Sequence, residues 1–120
     1  MNTKYDFNNI KLCNGLNAEK LKKLGFSNYK DSWSYCRTIS SCKENYRFHE
    51  TFNITIKDNF TKMESEILDE AFCQPFIPVC EYYMNERSFE SLTPYCQEAV
   101  KKCNEHIQHL VDNNVIYFER

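Results

Sequence analysis

A chain of 120 residues is of one-domain size. With 42% apolar and 15% aromatic residues it has enough bulky material to fill a core, which excludes disorder as a general description. Its 15 basic and 17 acidic side chains leave a formal charge of -2, which excludes the strongly basic balance of a nucleic-acid binder.

Residues 1–9 mix Asn, Lys and Asp and lack the apolar segment of a secretory signal. No later stretch reaches the roughly 20 apolar residues of a bilayer-spanning helix. Both features point to the cytoplasm. Residues 16–26 then carry matched helix signals. Asn17 is a capping residue whose Oδ accepts an otherwise unpaired backbone N–H, and Leu16 and Leu21 hold the two positions of a hydrophobic staple. Gly25 fits the left-handed position past the helix end, from which Phe26 folds back on Leu21.

Over residues 33–39 the side chains alternate, with Trp33, Tyr35, Arg37 and Ile39 on one face and Ser34, Cys36 and Thr38 on the other. That is a strand period, rich in aromatic and β-branched residues. The alternation over 48–56 is sharper: Phe48, Glu50, Phe52, Ile54 and Ile56 oppose His49, Thr51, Asn53 and Thr55. Residues 57–60 read as a turn. Residues 62–68 read as the return strand, with Met63, Ser65 and Ile67 opposite Glu64, Glu66 and Leu68, even though Glu is depleted in strands and also suits a helix.

Pro75 and Pro78 punctuate the link to the second half, and Pro78 is placed to open a short helix through Tyr83. The last long element has the strongest signals: Thr93 caps, Pro94 takes the first helical position, and the helix runs to about Asp112. Cys96, Val100, Cys103, Ile107 and Leu110 form one apolar stripe, while Glu98, Lys101, Lys102, Glu105 and Gln108 face water. Residues 115–118 are apolar enough for an edge strand or a tail packed on the core. The stripe needs a flat apolar partner, and a half-buried sheet supplies one. The expected fold is therefore α+β, a single domain over 1–120. A small antiparallel sheet of about three strands packs against the long C-terminal helix, with a short N-terminal helix beside them.

The seven cysteines invite a disulfide reading, but the count is odd, and two glycines and three prolines are few for a loop-rich scaffold. Reduced thiols are expected, although the glycosylation triplets at 53–55 and 59–61 pull toward a secreted protein. Cys96, Cys103, His106 and His109 share the last helix, yet no two cysteines have the two-residue gap of a zinc knuckle. They are read as core thiols and near-surface imidazoles, so no metal is assigned. Cysteines beside His49, His106 and His109 permit a nucleophile and base only combinatorially, and the isolated Gly15 and Gly25 build no phosphate-cradling loop. No catalytic residue or cofactor is assigned, and binding is favoured over catalysis.

Two groups are candidates for a protein interface. Glu64, Glu66, Asp69 and Glu70 form an acidic set suited to a basic partner, weighed against a solvated strand face, an acid/base pair or a cation site. Trp33, Tyr82 and Tyr83 combine large apolar area with a polar handle, and suit an interface anchor or the core equally. Lys20, Lys22, Lys23 and Lys30 make a modest basic region, far short of a nucleic-acid signature.

Several phrases carry a resemblance: Leu24-Gly25-Phe26 closing the short helix, Tyr35-Cys36-Arg37 in an aromatic strand, 52–56, the run 68–76 from Leu68-Asp69-Glu70 to Gln74-Pro75-Phe76, and 114–118. In these the chain resembles small uncharacterised proteins encoded by phages and prophages of AT-rich Gram-positive bacteria. The resemblance implies an accessory protein of the host bacterial cytoplasm. It also implies an anti-defence inhibitor of the anti-CRISPR kind, which binds a host defence protein or ribonucleoprotein nuclease effector stoichiometrically. It implies neither a membrane partner nor direct sequence-specific contact with nucleic acid. A Cys/His metal protein or small enzyme, and a secreted disulfide-stabilised binding module, are the alternatives.

Overall fold

The computed structural model describes residues 9–41, 49–70, 79–83 and 88–119. Strand β1 (Ile10–Leu12) leads into helix α1 (Ala18–Lys23), whose ends follow the local signals. The Asn17 Oδ1 accepts the Lys20 amide at 2.9 Å, and Leu16 and Leu21 are both buried beside it. At the other end the Gly25 amide donates to the Lys22 carbonyl and the Phe26 amide to that of Leu21, the paired bonds of a Schellman ending. Gly25 takes φ +100°, which the missing Cβ permits.

Strands β2 (Ser27–Tyr29), β3 (Ser32–Ser41), β4 (His49–Lys57) and β5 (Lys62–Glu70) make one antiparallel sheet in that spatial order. The alternation read from the sequence sets its two faces. Trp33, Tyr35 and Ile39 of β3, Phe52, Ile54 and Ile56 of β4, and Ile67 of β5 are buried on one side. The β4–β5 turn is built from Asp58, Asn59 and Phe60, all in the left-handed region, and closed by the Thr61 amide on the Lys57 carbonyl. Asp and Asn tolerate that conformation, whereas a phenylalanine seldom does. The Phe60 ring lies 6.3 Å from that of Trp33, and this packing offsets the backbone cost.

Helix α2 (Val79–Tyr83), a 3₁₀ turn at Phe89–Ser91, helix α3 (Pro94–Asp112) and strand β6 (Ile116–Phe118) complete the described elements. Thr93 caps α3 by accepting the Cys96 amide at 3.2 Å, with Pro94 in the first turn. Cys96, Ala99, Val100, Cys103, Ile107 and Leu110 are all buried in one cluster with the inner face of the sheet. Val100, Ile107 and Leu110 each contribute on the order of 1.5–3 kcal/mol on burial and the smaller side chains less, which makes this seam the main cohesive contact.

The α+β class and the antiparallel sheet stand as expected, and the finer architecture differs in two ways. The sheet has four strands, because 27–29 folds back on 32–34 through the Lys30 turn. Exposed Ser-Asn-Tyr has no inward alternation to announce it. The apolar segment at the C-terminus does not join this sheet. It pairs with β1 as a separate two-stranded ribbon, Ile10 opposite Phe118 and Leu12 opposite Ile116. Phe48, Pro75 and Pro78 lie outside the described residues.

Gly15 and Gly25 both occupy positive φ, but a Cβ at Gly15 would meet nothing within 4 Å, whereas one at Gly25 would lie 2.5 Å from Arg37 Nη2. Gly25→Ala is therefore expected to destabilise the fold by about 2 kcal/mol or more, and Gly15→Ala by about 1 kcal/mol, the backbone term alone. Urea unfolding of the two variants measures the difference.

Candidate functional site

The structure separates the residues proposed from the sequence as an interface. Trp33 (7% exposed), Tyr82 (4%) and Tyr83 (1%) are core, which corrects their reading as anchors. Trp33 points inward with the rest of its strand face. The Tyr83 hydroxyl lies 2.7 Å from Asn104 Oδ1 and 3.2 Å from the Val100 carbonyl, and its ring meets Tyr82 edge-on at 5.1 Å. The Tyr83 phenol ties α2 to α3, and its polar handle is used inside the fold.

Glu64 and Glu66 are exposed on the outer face of β5. Glu64 pairs with Lys57 at 2.9 Å, and that contact raises the lysine above its ordinary range. In register, Glu64 stands beside Thr55 and Ser34, Glu66 beside Asn53 and Cys36, and Thr51 beside Thr38. The result is an outer sheet face of hydroxyls, an amide, a thiol and carboxylates, with Cys36 and Thr38 exposed. Asp69 and Glu70 continue the strand in register with Glu50 and His49, and their side chains lie outside the described set. Asn53, one of the two glycosylation candidates, sits in mid-strand rather than in a loop.

A second polar group lies at the edge of the core, where sequence reasoning had assigned no site. Tyr35 OH is 2.8 Å from His106 Nδ1, so β3 and α3 are joined by a hydrogen bond beside their apolar contact. The Arg37 guanidinium lies 4.1 Å from the centre of the Tyr35 ring, with Nη1 donating to the Cys36 carbonyl (2.9 Å) and Nη2 to that of Gly25 (3.2 Å). His109 stacks on Tyr35 at 6.5 Å, and His106 stacks on Phe52 at the same separation. Burial pushes the Tyr35 phenol up, opposed by Arg37, so the hydroxyl stays protonated. Burial pushes His106 down, assisted by Arg37 and His109 and opposed by Glu105. A neutral His106 ring either accepts the Tyr35 hydroxyl at Nδ1, with its proton on Nε2, or donates from Nδ1 to the phenol oxygen.

One signal for this group was legible. Arg37 falls on the inward side of the alternation with Trp33, Tyr35 and Ile39, and a charge on an apolar face needs partners. Nothing in the spacing said that those partners would be carbonyls and an aromatic ring.

Cys96 and Cys103 lie within the α3 seam, His106 at its margin and His109 in water. Cys13, Cys36, Cys96 and Cys103 carry thiols rather than disulfides. Among the described residues no three His, Cys, Asp or Glu side chains converge as a metal group, and no helix is long and apolar enough to cross a membrane.

No family model matches the chain, and no curated protein matches it. A solved structure does: a DUF1831 family protein from Lactobacillus plantarum, 13% identical, covering 92% of this chain and 86% of its own, with a TM-score of 0.62. The two chains share a fold. At that identity the likeness speaks for backbone architecture and not for the residues of either polar surface.

His106 makes stability pH-dependent. Its folded value lies below the ordinary 6.5, so in acid the unfolded chain binds the extra proton. The stabilisation is complete above about pH 6.5 and is lost as pH falls from there through the lower folded value. Unfolding free energy measured from pH 7.5 to 5 is expected to fall more steeply in the natural chain than in His106→Gln.

Proposed function

We propose that this is a binding protein, acting without catalysis of its own, that engages a macromolecular partner through the outer face of its four-stranded sheet. The observation that carries the reading is the asymmetry of that sheet. One face is filled by the α3 seam, while on the other Cys36, Thr38, Glu64 and Glu66 are exposed to water beside a half-buried Ser34. A pleated face of short polar side chains is flat and holds few rotamers to be frozen on docking, which lowers the entropic cost of association. The two carboxylates favour a partner with a basic surface.

The narrower reading is that of a phage-encoded anti-defence inhibitor, anti-CRISPR-like, which occludes a host nuclease effector in the bacterial cytoplasm. It is supported by the resemblance of the sequence phrases and by the acidic strand, because effectors that handle nucleic acid present basic channels that a carboxylate-bearing face complements.

Affinity capture with the tagged chain from cells expressing host defence complexes tests both. A retained effector that is lost with Glu64→Lys/Glu66→Lys, at unchanged thermal stability, is the expected result. Retention of an effector undiminished by that reversal would contradict the sheet face, and failure to retain any effector would contradict the anti-defence reading.

A further inference from the structure

We propose that Arg37, His106 and His109 form a binding site for a tetrahedral oxyanion of the phosphate-monoester class. The inference is independent of what the sheet face binds. Arg37 is half-buried, and its guanidinium is held in place by two carbonyls and the Tyr35 ring rather than by a carboxylate. Two of its five N–H donors are taken by those carbonyls, and the side chain also hydrogen-bonds the Tyr35 hydroxyl. The ion pairs of the described residues, Lys57–Glu64, Lys62–Asp58 and Lys101–Glu98, all lie elsewhere. A fixed guanidinium with open donors and no carboxylate counter-ion among the described residues is a pre-organised anion receptor.

The two imidazoles complete it. Tyr35 is the common neighbour of all three bases: Arg37 over its ring, His106 on its hydroxyl and His109 stacked against it. The bond between Tyr35 OH and Nδ1 holds the His106 ring in place and leaves Nε2 as its other hydrogen-bonding atom. Burial disfavours the charged form of His106, and Arg37 and His109 beside it add to that, opposed by Glu105. A bound dianion removes that penalty by favouring imidazolium. Gly25 belongs to the same device, since a Cβ there would lie 2.5 Å from Arg37 Nη2 and push the guanidinium aside. Phosphate suits the site better than a single carboxylate, because it offers oxygens in several directions to a planar fork and two rings.

The test is a proton NMR titration of the histidine ring protons of the full chain, at constant ionic strength, in chloride and in inorganic phosphate. Phosphate is expected to shift the His106 and His109 signals saturably and to raise the His106 midpoint by about one pH unit, equivalent to roughly tenfold tighter binding to the protonated ring. Arg37→Gln should abolish the effect and His109→Gln should weaken it. Glycerol phosphate, run in parallel, distinguishes an esterified ligand, which would bind more tightly than inorganic phosphate, from the free ion, which would bind at least as well. A His106 midpoint equal in chloride and phosphate would overturn the proposal, as would a phosphate effect unchanged in a folded Arg37→Gln chain. Should that variant not fold, the natural chain and His109→Gln decide on the same criteria.

Discussion

The contact between the apolar seam of α3 and the inner face of the sheet is the constraint on which the rest of this molecule depends. Neither surface is stable in water alone: a 19-residue helix with a continuous stripe and a sheet with aromatic and branched residues on one side each need the other. Once they meet, the position of every polar group follows. Cys96 and Cys103 become packing atoms, Trp33 and the α2 tyrosines become core, and the opposite pleats of β3, β4 and β5 are left to water. His106 is placed one step off the seam, close enough to Tyr35 to bond it and exposed enough to titrate.

Much of this was legible in the sequence, because period and capping are local. The two-residue alternation over β3 and β4 named the buried face correctly, and Asn17, Gly25, Thr93 and Pro94 marked helix ends that the structure reproduces bond for bond. What was not legible is tertiary in origin. The pairing of β1 with β6 joins segments about a hundred residues apart, and three-residue strands carry no periodicity. Strand β2 is exposed and polar, formed because the turn before β3 returns the chain on itself. Trp33, Tyr82 and Tyr83 have the chemistry of interface anchors and of core residues alike, and only packing decides between them.

The candidate sites divide along the same line. The acidic strand was visible as composition, and the structure spreads Glu64 and Glu66 across a broader hydroxyl-rich face by register. The group around Tyr35 was hidden because its members are far apart in sequence and each has an ordinary local explanation. Its interest lies in electrostatics: a guanidinium and two imidazoles share one aromatic neighbour, and the helix that carries the imidazoles is the one that closes the core. Events at His106 and Arg37 are therefore coupled to the seam itself, through the Tyr35 hydroxyl and the Phe52 ring that His106 stacks upon.

Pulsed thiol labelling read by mass spectrometry tests the seam most directly, since its filling includes two cysteines. Cys36 on the outer face should react at once in native buffer, while Cys96 and Cys103 should react only at the rate and denaturant dependence of global unfolding. Labelling of Cys96 or Cys103 in native buffer as fast as that of Cys36 would contradict a packed helix–sheet core and everything placed by it.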